Sequence, residues 1–211
     1  ALGDVLAYSL VSDMPPSNAL PDHIRYWLNL YNESTEHLIM HPEHRKEPTK
    51  SQTTVEPLLT SCWGQGCYHN EACPIDSSGP CQHVSAGCVA IAMAQIMYFH
   101  KQPLVGNGAV TYSCSPYGTL SANFGQTVYH WEDMADTLHE SNAAVAQLVS
   151  HCGIAVNMQY GAHLSLASNG RALAALRHNF LYPSAKLLQR DNCDDEEWTN
   201  LIVSDLGLGH P

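Results

Sequence analysis

Cys88 stands at the head of the stretch HVSAGCVAIAMAQIM, residues 83 to 97. Valine, isoleucine, alanine and methionine follow it, and Gln95 is almost the only polar interruption. A thiol placed where a buried helix begins has two readings. It is a small core residue, the common fate of a cysteine on an apolar helix, or it is a nucleophile held at a helix N-terminus. Such a terminus carries roughly half a positive elementary charge, which favours a thiolate over a thiol. Gly87, just ahead, lets the backbone approach a substrate carbonyl. The Cys88 amide points into the same space and offers half of an oxyanion hole. The other half needs a donor from elsewhere, and Gln65 in the Gly-flanked turn of WGQGCYHN is a candidate.

These residues need elements to hold them. The apolar run from Cys88 to His100 suits a helix of three to four turns, apolar nearly all round and therefore central; Lys101 and Pro103 end it. Upstream, PDHIRYWLNLYNESTEHLI spaces Ile24, Trp27, Leu28 and Tyr31 as one face of an amphipathic helix, with Asp22 as a cap. DVLAYSLV before it reads as a strand. Residues 41 to 54 are polar, contain Pro42 and Pro48, and form the best linker in the chain. The division is therefore residues 1–52 and residues 53–211. Beyond the central helix, residues 106 to 134 read as two or three short strands. A second helix starts near Ser141 and stops at Gly153, a third is capped by Asn169, and a fourth covers DDEEWTNLIVSDLGLG, with acidic residues in its first turn.

Composition excludes several functions. Nine Lys and Arg stand against twenty Asp and Glu, a net charge of −11, so there is no basic face for nucleic acid. No apolar stretch is long enough to span a membrane. The first residues lack the cationic start and continuous apolar stretch of a signal peptide. Eight cysteines are present, the first five between residues 62 and 88. They include no C-x2-C pair, which speaks against zinc despite His69 and His83 nearby. One or two disulfides among Cys62, Cys67, Cys73 and Cys81, or free thiols in a reducing habitat, account for the same count.

A glutamine amide upstream of a cysteine heading a buried helix is also the arrangement of papain-like thiol peptidases. HVSAGCVAIAMAQIMYFHKQP resembles the active-site stretch of the streptopain family of bacterial cysteine peptidases. WGQGCYHNEACP is similar to that family's Gln-containing loop, VYHWEDM to its Tyr-x-Trp element, and LVSHCGIAVNMQYG to its Gly-Ile-x-Val-x-Met-x-Tyr-Gly segment. WTNLIVSDLGLGHP resembles the helix and turn before the family's histidine strand, and GDVLAYS with the helix around Trp27 resembles the end of its inhibitory propeptide. The resemblance implies an α+β, papain-like fold with a central helix headed by the nucleophile. It implies Cys88 as nucleophile and Gln65 as side-chain oxyanion donor, with no cofactor and no metal. It further implies a substrate groove formed by Gly87, Tyr160, Gly161, Ser165 and Ser168. His163, Leu164 and Leu166 stand where the family has small residues. Residues 1–52 become the end of a propeptide, and the partners become protein or peptide substrates and that propeptide, in a protein secreted by a bacterium.

One part is unmatched. The family's catalytic histidine lies in a Gly-His-Ala-Phe strand, and none of the thirteen histidines here carries that match. His100 lies twelve residues along the same helix, about 18 Å away. His83, His163 and His210 read as loop or turn residues. The expectation is a zymogen or fragment of a cysteine endopeptidase, incomplete at its C-terminus and inactive by itself; the alternative is an inactive homologue or inhibitor-like binding module.

Overall fold

A computed structural model describes residues 22–41, 56–190 and 193–210. The chain forms two compact units, Ala1–Gln52 and Thr53–Pro211. In the first, helix α1 covers Asp22–Met40, as the spacing of its apolar residues predicts. The strand expected over DVLAYSLV and most of the polar linker lie outside the described residues.

The second unit is built around α2, Cys88–His100. Its Ala90, Ile91, Met93, Ala94, Met97 and Tyr98 are buried, which accounts for the apolar run. Lys101 closes the helix in the left-handed conformation at φ 51°, and its ammonium sits 3.1 Å from the centre of the Tyr98 ring, a cation–π contact. The helix is not buried all round. Val89 and Ile96 are half-buried and Ala92 is exposed, because that stripe lines an open groove.

Two strands follow, β1 (Ala109–Cys114) and β2 (Gly118–Asn123), paired antiparallel with Ala109 opposite Asn123 and Cys114 opposite Gly118. Then come α3 (Ala143–Ala155), α4 (Asn169–His178) and α5 (Asp195–Gly207). Helix α3 packs against α2, with the Cys152 Sγ 3.8 Å from the Met97 Sδ at the seam. Phe124, Tyr129 and Phe180, all buried, close the core around His151.

Three helix ends differ from the sequence expectation. Helix α3 starts after Asn142, whose side chain accepts from the Val145 N–H. It also runs through Gly153, because the Tyr160 hydroxyl packs where a Cβ would stand. Glycine there makes room for a ring and does not end the helix. Ser168, not Asn169, caps α4, its hydroxyl accepting from the Arg171 N–H. Asp194 caps α5 and forms a capping box with Glu197.

Candidate active site

Cys88 is the first residue of α2 and is exposed. Its predecessor Gly87 is buried at φ 89°, ψ 135°, a conformation that side-chain-bearing residues rarely adopt. A Cβ on Gly87 would lie 2.6 Å from Met158 Cε and 3.3 Å from Ser165 Cβ, so the turn into the helix has no space for one. No side chain caps α2, and its first N–H groups are left for an incoming acceptor.

Gln65 reaches the same turn through long-range bonds. The Ala86 N–H donates to the Gln65 carbonyl at 3.0 Å. The Ser85 hydroxyl donates to Gln65 Oε1 at 3.1 Å. Upstream, Gln95, the polar residue inside the apolar helix, donates from Nε2 to the Ser61 carbonyl (2.9 Å) and hydroxyl (3.1 Å). The lone polar interruption of α2 thus anchors the segment that leads into Gln65. On its other side the loop is tied by the disulfide between Cys67 and Cys81. Fully buried Asn70 adds to this tie, donating from Nδ2 to the carbonyls of Pro80 (2.8 Å) and Val84 (3.0 Å). Of the cysteines considered for disulfides, only these two pair; Cys62 is exposed and Cys73 is buried as a thiol pushed up to about 12 by desolvation.

The loop of residues 159 to 170 backs this turn. Gln159 and Leu166 pair as an antiparallel bridge, and the Ser85 N–H donates to the Gly161 and Ala162 carbonyls, both at 3.2 Å. Ser165 is 1% exposed; its hydroxyl donates to the Ser85 carbonyl at 2.6 Å and accepts from the Gly161 N–H at 3.2 Å. Tyr160 is 6% exposed, with its hydroxyl 4.0 Å from Cys73 Sγ. The resemblance implies a groove-lining role for Tyr160 and Ser165, and their side chains are both buried. Their side chains are turned into the interior and support the turn from behind. Ser168 is exposed, but its hydroxyl is engaged in capping α4. Gly161, half-buried, receives the Ser85 N–H through its carbonyl.

Two open spaces flank the turn. One, of about 390 Å³, is an apolar groove lined by Cys88, Val89, Ala92 and Ile96 of α2, Ala172, Leu173 and Leu176 of α4, and Leu187. The other, also about 390 Å³, is lined by Gln65, Gly66, Ser78, Ser85 and His163. A larger cavity of about 540 Å³ lies between β1 and residues 157 to 160 and contains neither Cys88 nor Gln65.

Among the described residues no hydrogen bond joins a histidine ring to Cys88. His83 Nδ1 lies 2.8 Å from the Cys73 carbonyl, and His69 Nδ1 lies 3.1 Å from that of Cys67. His151 Nδ1 meets the Tyr129 hydroxyl at 3.0 Å. His100 packs beside Tyr182, and His210 lies 4.0 Å from Asp205.

Comparison with known proteins adds the deciding observation: residues 63–211 match the Peptidase C10 family. The chain belongs to the peptidase C10 family. Streptopain from Streptococcus pyogenes is 31% identical over 186 residues, covering 76% of this chain and 46% of streptopain. The thiol protease/hemagglutinin PrtT of Porphyromonas gingivalis is 28% identical over 216 residues, covering 91% of this chain and 24% of PrtT. The chain thus spans less than half the length of these curated relatives. Among solved structures, the active interpain A cysteine protease of Prevotella intermedia is 36% identical, with a TM-score of 0.69 over 79% of this chain and 71% of that one. A prointerpain A fragment from the same organism is 31% identical, with a TM-score of 0.75 over 91% of this chain and 66% of that one. The fold of this C10 chain is accordingly the papain-like α+β fold.

Sequence reasoning missed the supports of the candidate site: Ser85, Asn70, Gln95 and Met158. Only Gln95 left a signal, as a polar residue in an otherwise apolar helix.

Proposed function

We propose that this chain is the cysteine-bearing part of a secreted bacterial endopeptidase that cleaves protein substrates through an acyl-enzyme. The observation that carries the reading is the exposed Cys88 at an uncapped helix N-terminus, with the Gln65 loop bonded to the residues just before it. The Cys88 sulfur attacks the scissile carbonyl carbon, and the carbonyl electron pair moves to oxygen. The resulting oxyanion is held by the Cys88 N–H and the Gln65 Nε2. Collapse expels the amine, which takes a proton from a general acid, and leaves a thioester. Water then attacks the thioester and the sulfur departs. Gly87, Tyr160, Gly161, Ser165 and Ser168 form the groove for the extended substrate, with the Tyr160 and Ser165 side chains facing inward, and the apolar groove beside Cys88 favours an apolar side chain near the cleaved bond. Residues 1–52 are the end of a propeptide, removed by cutting in the polar segment of residues 41 to 54.

None of the thirteen histidines carries the Gly-His-Ala-Phe match that the resemblance implies for the acid–base histidine. On this reading the 211-residue chain alone hydrolyses peptides negligibly. The same observation supports a second reading, an inactive homologue or inhibitor-like binding module. Iodoacetamide labelling near neutral pH, read by mass spectrometry, separates the two. The endopeptidase reading expects Cys88 to be alkylated well ahead of Cys62, which is also exposed. Equal rates at the two thiols would support the binding module. Robust hydrolysis by the 211-residue chain, abolished in Cys88→Ala, would falsify the expectation of negligible hydrolysis.

A further inference from the structure

A glutamine amide turns about an sp³–sp² torsion that is broad and roughly two-fold, so its own covalent geometry does not decide which end faces a ligand. For an oxyanion donor that choice is decisive. The –NH₂ end stabilises developing negative charge, whereas the carbonyl end repels it. Something must hold the Gln65 amide one way round. Its one hydrogen bond among the described residues is the one that Oε1 accepts from the Ser85 hydroxyl at 3.1 Å.

Ser85 is well placed for this. It is 6% exposed. Its N–H is fixed on the Gly161 and Ala162 carbonyls, and its carbonyl receives the buried Ser165 hydroxyl at 2.6 Å. The next residue, Ala86, holds the Gln65 main chain. Two consecutive residues, just before Gly87 and Cys88, thus grip Gln65 by its backbone carbonyl and by its amide oxygen. Among the described residues neither N–H bond of Nε2 has a partner, and Gln65 itself is exposed.

We propose that Ser85 is a positioning residue for peptide-bond cleavage: by donating to Oε1 it fixes the Gln65 amide with its N–H groups toward the oxyanion. This rests on the peptidase reading of Cys88 and Gln65.

The test is a double-mutant cycle in the full chain as its cell makes it, with a peptide substrate. Ser85→Ala is expected to lower kcat by about 10- to 100-fold with KM little changed, less than the 10²- to 10³-fold lost with a donor itself. In a Gln65→Ala background Ser85→Ala should cost less than about threefold, since there is no amide left to orient. Alkylation of Cys88 by iodoacetamide, which forms no oxyanion, should be unchanged within about twofold in Ser85→Ala. If Ser85→Ala does not fold, the pair Ser85→Thr and Ser85→Val, alike in shape and differing in the hydroxyl, replaces it, with Thr at least about tenfold faster. Equal loss from Ser85→Ala with and without Gln65, or equal rates for Thr and Val, overturns the proposal. Full activity of Ser85→Ala alongside inactive Cys88→Ala and impaired Gln65→Ala overturns it alone. An active Cys88→Ala overturns the peptidase reading as well.

Discussion

The Met158 side chain lies directly under Gly87: a Cβ there would be 2.6 Å from its Cε and 2.9 Å from its Sδ. Met158 is fully buried, and its carbonyl is held by the Tyr112 hydroxyl at 2.8 Å. The turn that presents Cys88 is thus set by a core methionine seventy residues further along the chain. Gly87→Ala must both strain φ 89° and displace that side chain. We expect a loss of about 1–3 kcal/mol of stability, read from the urea midpoint, and, on the proposed peptidase reading, a lower rate of peptide cleavage by the full-length protein because Cys88 shifts. An unchanged midpoint would contradict this packing.

The disulfide between Cys67 and Cys81 closes a loop with a sequence separation of 14. A loop of that size restricts the unfolded chain by about 3 kcal/mol. Cys67→Ser with Cys81→Ser should therefore lower the denaturant midpoint accordingly, and dithiothreitol should lower that of the parent chain but not of the double variant. A parent midpoint insensitive to reductant would mean that the two thiols are not bridged.

Cys73, Cys114 and Cys152 are buried, and desolvation pushes the Cys73 thiol up to about 12. At pH 8 a thiol reagent should therefore modify Cys62 and Cys88 while these three stay protected until the protein is unfolded. Peptide mapping after timed iodoacetamide exposure checks this. Early labelling of Cys73 or Cys152 in folded protein would refute the core described for this unit.

Acid should weaken the fold through His151. Burial lowers its pKa below the ordinary 6.5, and its partners are the Tyr129 hydroxyl and the edge of Phe124. The unfolded chain then binds a proton that the folded chain resists. The stability this histidine contributes is complete above about pH 6.5 and is lost as the pH falls through that value toward its lowered folded pKa. His69 and His100, also lowered by burial, act in the same direction. Thermal unfolding measured from pH 8 to 5 should show a falling midpoint, and His151→Gln should reduce the slope. A slope unchanged by the substitution would assign the acid sensitivity to other groups.

Much of this chain was legible from neighbouring residues alone. The apolar run marked the central helix, Lys101 its end, the acidic first turn the start of α5, and glycine followed by cysteine the candidate nucleophile. Such features depend on helix periodicity and capping, which act within a few residues. The cap of α4 was misplaced by one position because Ser168 and Asn169 both suit the role, and only the hydroxyl's bond to Arg171 decides between them. Gly153 was read as a stop because glycine commonly ends helices, whereas here it accommodates Tyr160.

What the sequence determined by itself was the family's motif set and the residues able to do chemistry. Only the tertiary structure decided how Gln65 is held, which cysteines pair, and that Tyr160 and Ser165 face inward. The reason is range. Ser85 meets Gln65 across 20 positions, Gln95 meets Ser61 across 34, and Ser165 meets Ser85 across 80. No local propensity encodes such pairings; they form when packing α2 against α3 and the 159 to 166 loop brings distant polar groups together and buries many of them, so that they partner one another.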